Sequence, residues 1–129
     1  MVIDTSALVA ILKAEPDAAA FLTKLAAATV CRLSAANFVE AGLIASRDPT
    51  GAHRAALEDL VREFGIRIEA VSERQARLAV NAFRRFGKGN GHPAGLNYGD
   101  CFAYALAADT GEPLLFKGDD FPRTDLVPA

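Results

Sequence analysis

A layered α/β fold, with helices on both faces of a parallel sheet, is predicted by three features of the sequence. Short β-branched or leucine-rich runs alternate with longer segments of helical periodicity. Strands separated by helices connect through right-handed crossovers, which makes them parallel and sandwiches the sheet between helices. At 129 residues, 51% of them apolar, the chain is long enough to bury a core without disulfide or metal staples. Residues 1–129 are therefore read as a single domain.

The first strand is the β-branched pair Val2-Ile3. Asp4, Thr5 and Ser6 follow, ahead of a helix carrying Ala7, Leu8, Ala10 and Ile11. Either Asp4 or Thr5 suits its N-cap, so an acid here has an ordinary structural explanation. Glu15-Pro16-Asp17 starts a second helix with an apolar face of Ala18, Phe21, Leu22 and Leu25. "TVCRLS" is a short buried strand, and Ser34 caps "AANFVEAGLIAS". Asp48-Pro49-Thr50-Gly51 makes a turn into the amphipathic helix "AHRAALEDLVREF", which Gly65 ends. "IRIEAV" alternates as a strand, and Ser72 caps "ERQARLAVNAFRRF". "GKGNGHPAGLN" is too rich in glycine for regular structure and is expected to be an exposed, mobile loop. "YGDCFAYALAADTG" is a nearly all-apolar helix, "EPLLF" a further strand, and "KGDDF" the turn after it.

Composition narrows the function. No apolar run approaches the roughly 20 residues that cross a bilayer. The start lacks the basic segment of a signal peptide, so a cytoplasmic location is expected. Cys31 and Cys101 read as small buried hydrophobes, and two Cys and two His far apart do not make a zinc site. The net charge of −2 does not mark a nucleic-acid binder. Basic residues nevertheless gather between Arg62 and Lys88: Arg62, Arg67, Arg74, Arg77, Arg84, Arg85 and Lys88, against Glu63, Glu69 and Glu73. Such a run is either a set of solvated helix faces or a phosphate-facing surface.

Acidic residues stand where packing expects none. Glu40 shares a side of its apolar helix with Asn37 and Leu43. Asp100 lies in the first turn of the most hydrophobic helix, and Asp119-Asp120 follow the strand "LLF". Singly, each has a plain reading: a half-exposed acid, a helix N-terminal charge, a turn residue. Together, Asp4, Asp100 and Asp119 fall on the edge of the sheet where strands end, which is where such sheets bind ligands. Clustered carboxylates repel unless a cation neutralises them. A donor set of oxygens alone suits Mg²⁺ or Mn²⁺ rather than Zn²⁺, with remaining positions left to water and a substrate phosphate. That is the chemistry of metal-assisted phosphodiester hydrolysis, with Asp4 a ligand steadied by Thr5 or Ser6.

"MVIDTSALVAIL", "FVEAGL", "NYGDCFAYALA" and "LLFKGDDF" together resemble the PIN-domain ribonucleases, and among them the VapC toxins of bacterial VapBC toxin–antitoxin systems. The resemblance spans essentially the whole chain. It implies a three-layer α/β/α PIN-like fold and a Mg²⁺- or Mn²⁺-dependent endoribonuclease acting on RNA such as tRNA or rRNA. It also implies a VapB-like antitoxin that silences the site, and a homodimer. Carried over by position, the catalytic and metal-binding acids are Asp4, Glu40, Asp100 and Asp119, with Asp4 and Asp100 as direct ligands. Asp120 is the alternative to Asp119, Ser6 matches the hydroxyl that steadies the first aspartate, and Asn97 lies near the pocket.

Arg84, Arg85 and Lys88, leading into the glycine-rich loop, are candidates for RNA phosphate contact, while His92 is either part of that surface or incidental to it. Leu57, Leu60, Val61 and Phe64 either face the antitoxin or pack in the core. Other acid-bearing α/β folds fit poorly. A haloacid-dehalogenase-type phosphatase needs an aspartate where Ser6 stands, and a response-regulator receiver needs one where "IRIEAVSE" has none. A catalytically silent PIN fold that only binds a partner is the remaining alternative, and all four acidic positions being filled speaks against it.

Overall fold

The computed structural model describes residues 1–129. The elements run β1 (Val2–Ile3), α1 (Thr5–Leu12), α2 (Ala18–Ala27), β2 (Arg32–Ser34), α3 (Ala35–Ala45), α4 (Ala52–Glu63), β3 (Arg67–Glu69), α5 (Glu73–Phe86), α6 (Tyr98–Thr110) and β4 (Leu114–Leu115), then a 3₁₀ turn at Phe121–Arg123. The four strands form one parallel sheet in the order β3-β2-β1-β4. The expected fold class stands, with β1 and β2 at the centre of the sheet and β3 and β4 at its edges.

The period of two along the strands splits the core between the two faces. Val2 and its register partner Leu114 join one apolar cluster with Ala79, Ala82 and Phe86 of α5 and Tyr104 and Leu106 of α6. Ile3 and its partner Leu115 join Leu33 in a second cluster with Leu8, Phe21, Ala41 and Leu57 from α1 to α4. Val2, Ile3, Leu33 and Leu114 are wholly buried, as expected of a sheet covered on both sides. Arg32 ties strand to strand, with Glu69 of β3 at 2.5 Å and Glu112 at 2.7 Å.

Most helix boundaries follow the caps read from the sequence. Ser72 accepts a hydrogen bond from the Gln75 amide, and Gly111 ends α6 in the left-handed conformation that glycine adopts without strain. Ser34 occupies the N-cap of α3 but makes no capping bond, and its hydroxyl is buried without a partner. The strands "IRIEAV" and "EPLLF" shrink to three and two paired residues.

One expectation is corrected, and one open alternative is decided. The glycine-rich segment is anchored, not wholly exposed: Lys88 N–H donates to the Leu96 carbonyl and Leu96 N–H to that of Phe86, each at 2.8 Å. Ala94 and Leu96 are fully buried. His92 belongs to this anchor, for its Nδ1 accepts from the Ala94 amide and its ring meets Phe86 edge-on. On α4, Leu57 and Leu60 are core residues, with Val61 and Phe64 packed against them. The apolar residues exposed on this side are Val39 and Leu43 of α3.

Candidate active site

Asp4 sits where β1 ends and α1 begins. Its amide donates to the Leu115 carbonyl of β4 at 2.8 Å, which continues the sheet ladder for one residue and fixes the backbone. Its side chain is the N-cap of α1, so the ordinary structural explanation is correct as far as it goes. Oδ2 accepts from the Ser6 amide at 2.9 Å and from the Ser6 hydroxyl at 2.5 Å. Oδ1 is equally buried and has no partner. A cap needs one oxygen; the second is held out of water with nothing to neutralise it. Burial pushes the carboxyl's pKa up, the Ser6 bonds oppose that, and the charge of Glu40 adds to it.

Ser6 also accepts from the Lys117 amide at 2.9 Å. One hydroxyl therefore joins the first acid to the turn after β4, which carries Asp119 and Asp120. Gly118 in that turn has φ +105°, a region open to glycine alone at little cost.

Asp100 is the third residue of α6 and closes a capping box: its amide donates to Asn97 Oδ1, and the Asn97 amide donates to Asp100 Oδ2, each at 2.9 Å. Burial drives its carboxyl to about 7, and the charges of Asp4, Asp120 and Glu40 push the same way against the Asn97 bond. Three elements thus bring Asp4, Glu40 and Asp100 into one electrostatic cluster. Both acids of the pair after β4, Asp119 and Asp120, are exposed, and the charge of Asp120 is felt at Asp100.

Beneath the acids lies a polar node that sequence reading passed over. Asn37, wholly buried, donates from Nδ2 to Thr5 Oγ1 at 3.2 Å and to the Gly99 carbonyl at 3.0 Å. The Thr5 hydroxyl donates to the Asn37 carbonyl at 3.4 Å. A buried asparagine on an apolar helix, three residues before Glu40, was the available signal.

No three Asp, Glu, His or Cys side chains close into a complete metal cage. The residues still fit a hard divalent cation, which needs only one or two carboxylates and takes water for the rest. The orphaned Oδ1 of Asp4 and the raised Asp100 carboxyl supply an all-oxygen set whose mutual repulsion a cation relieves.

Around the site, most of the basic run is spent on ion pairs: Arg74 with Asp109, Arg77 with Glu73, Arg85 with Asp125, Arg62 with Asp59. Arg84 and Lys88 make none, and Arg84 lines a groove with Tyr98 and Phe102 at the start of α6.

The PIN domain family model matches residues 1–127. Ribonuclease VapC28 of Mycobacterium tuberculosis is 54% identical over 131 residues, covering 100% of this chain and 97% of its own. Ribonuclease VapC42 of the same species is 46% identical over 129 residues, covering 100% and 98%. The chain belongs to the PIN-domain family of VapC ribonucleases. Solved structures share the architecture. The crystal structure of M. tuberculosis VapC20, described as a Sarcin-Ricin loop cleaving toxin, superposes with a TM-score of 0.76 at 18% identity, covering 99% of this chain and 97% of that one. A toxin–antitoxin complex from Klebsiella pneumoniae gives 0.75 at 17% identity, covering 99% and 95%. At that identity the likeness is one of fold. In this VapC-family chain the acids at the carboxyl edge of the sheet are the chemically distinctive feature.

Proposed function

We propose that this chain is the toxin of a toxin–antitoxin pair, a Mg²⁺- or Mn²⁺-dependent endoribonuclease that hydrolyses phosphodiester bonds in RNA. The observation that carries the reading is the second oxygen of Asp4, buried and unpartnered beside a half-buried Asp100 whose carboxyl is raised to about 7. Full-length identity of 54% to a named ribonuclease supports it.

A bound divalent cation supplies Lewis-acid chemistry, activating water and offsetting the charge that grows on the phosphate. Asp4 through Oδ1 and Asp100 are the residues to hold it. Ser6 keeps the other Asp4 oxygen occupied, so the carboxylate cannot turn away from the site. Glu40 completes the cluster and orients the attacking water by accepting its hydrogen bond. The pair Asp119-Asp120 supplies the fourth acid, with Asp120 the nearer in charge. Arg84 and Lys88, free of ion pairs, contact the RNA backbone, which positions the strand without selecting its sequence.

The partner is a VapB-like antitoxin, and the apolar groove between α3 and α4, with Val39 and Leu43 exposed at 57% and 67%, is the face offered to it. A homodimer in the cytoplasm completes the reading. No helix is long and apolar enough to cross a membrane.

The test is induction of the chain in a bacterial culture beside Asp4→Asn, with total RNA end-mapped from both. Growth arrest with discrete new RNA ends from the unmodified chain alone is the expected result. The same ends from Asp4→Asn would exclude the acid cluster as the catalytic centre.

A further inference from the structure

Gly99 has no conformational need to be glycine, since its backbone is not in the left-handed region. It lies at the second position of α6, where alanine is ordinarily the better helix former. Its reason is steric. A Cβ built at position 99 would collide with the Glu40 carboxylate, meeting both its oxygens and its carboxyl carbon inside contact distance. Glu40 therefore lies flat against the first turn of α6, one residue from Asp100.

That approach is held from below. Asn37, one helical turn before Glu40 on α3, donates to the carbonyl of the same Gly99 at 3.0 Å and to Thr5, the residue after Asp4, at 3.2 Å. One buried amide thus binds the three elements that carry Asp4, Glu40 and Asp100. Asn37 is wholly buried, and its Oδ1 is left without a partner, so the amide has been placed for its donors.

We propose that Asn37 and Gly99 are positioning residues that seat Glu40 in the acid cluster: Asn37 sets the distance between α3 and α6, and the missing side chain of Gly99 is the seat. The inference deepens the ribonuclease reading and rests on it for the role of Glu40. A side chain at 99 drives Glu40 outward while leaving Asp4 and Asp100 in place.

The experiment is a double-mutant cycle on the full chain: unmodified, Gly99→Ala, Glu40→Ala, and both together. Mn²⁺ affinity is measured by titration of the metal alone, cleavage on total bacterial RNA, and the unfolding midpoint in chelator. Gly99→Ala in the unmodified background is expected to weaken Mn²⁺ binding and slow cleavage by about 10-fold or more, the usual loss when support for a metal site is removed. In the Glu40→Ala background the same change should alter both by less than about 2-fold, because the clash is gone. The unfolding midpoint should change differently in the two backgrounds, rising in the second, where alanine is simply a better helix residue, and shifting by an additional amount in the first, where Glu40 has to move. Asn37→Ala should weaken Mn²⁺ binding with Glu40 present and much less without it. Equal effects of Gly99→Ala in both backgrounds would overturn the proposal, leaving Gly99 a matter of helix packing. Absence of Mn²⁺ binding and RNA cleavage in the unmodified chain would sink the ribonuclease reading instead, and the difference in midpoint change between the two backgrounds would then decide the seat by itself.

Discussion

The Asp100 carboxyl answers two demands, closing the capping box with Asn97 and standing among the charges of Asp4, Asp120 and Glu40. Burial first, and those charges after it, raise it from the usual 3.8 to about 7. The folded chain therefore holds a proton there that the unfolded chain has lost. The associated stability is full below about pH 4 and disappears as the pH rises through 7. In chelator, the unfolding midpoint is expected to drop between pH 5.5 and pH 8, and added Mg²⁺ or Mn²⁺ should restore it increasingly above pH 7. Asp100→Asn keeps an oxygen for the Asn97 amide and removes the charge. It should abolish cleavage and yet raise the midpoint in chelator at pH 8 by about 3–5 °C, or about 1 kcal/mol once the shift is discounted for partial exposure. A lower midpoint would show that the neighbouring acids do not strain this carboxylate.

At the scale of elements, α6 is set by its ends. Asn97 and Asp100 satisfy each other's amides at the start, and Gly111 at +69° releases the chain at the finish. Asn97→Ala is expected to lower stability by about 1 kcal/mol, and thermal unfolding beside Asn97→Asp, which keeps an accepting oxygen, measures it. Cleavage by the alanine variant should be largely kept, because the bond that aims the Asp100 carboxylate comes from the backbone amide of residue 97, which alanine retains; a loss of about 10-fold or more would show that the Asn97 side chain itself serves the site. This helix and its acid were legible in the sequence because an apolar run and a glycine stop are local signals; the Asn97 cap was passed over. The same holds for Val2-Ile3 as a buried β-branched strand. What was not legible depends on contacts between distant elements. Leu57 and Leu60 look alike whether they face a core or a partner, and only the position of α3 decides between them. Ala94 and Leu96 are drawn inward by a bridge to the end of α5 that glycine content conceals. Asn37 shows in the sequence only as a polar residue on an apolar helix and Gly99 carries no local signature, since each matters through the other helix.

Across the whole molecule, a chain of net charge −2 with an acidic site has to attract a polyanion. Summed charge does not favour that, so the placement of unpaired cations must supply it. The ion pairs sort the candidates. Arg62, Arg74, Arg77 and Arg85 are neutralised by neighbouring acids, and Arg85 is further occupied by Tyr104 and the Phe86 ring. Arg67, Arg84 and Lys88 remain; Arg67 lies on the edge strand β3, whereas Arg84 and Lys88 stand at the end of α5 and the entrance to the loop that leads to Asp100. Each phosphate they neutralise releases counterions, which contributes about 0.7 to the log–log salt dependence for single-stranded nucleic acid. Replacing both by glutamine should raise KM for RNA several-fold at physiological salt and leave kcat within about 2-fold. It should also flatten the salt slope by about 1.4, or about 0.7 for each residue. Arg77→Gln is the matched control, since its charge is already met by Glu73 at 2.7 Å; it should change neither. A loss confined to kcat, with the salt slope intact, would take Arg84 and Lys88 off the path of the RNA and require the attraction to come from other cations such as Arg67.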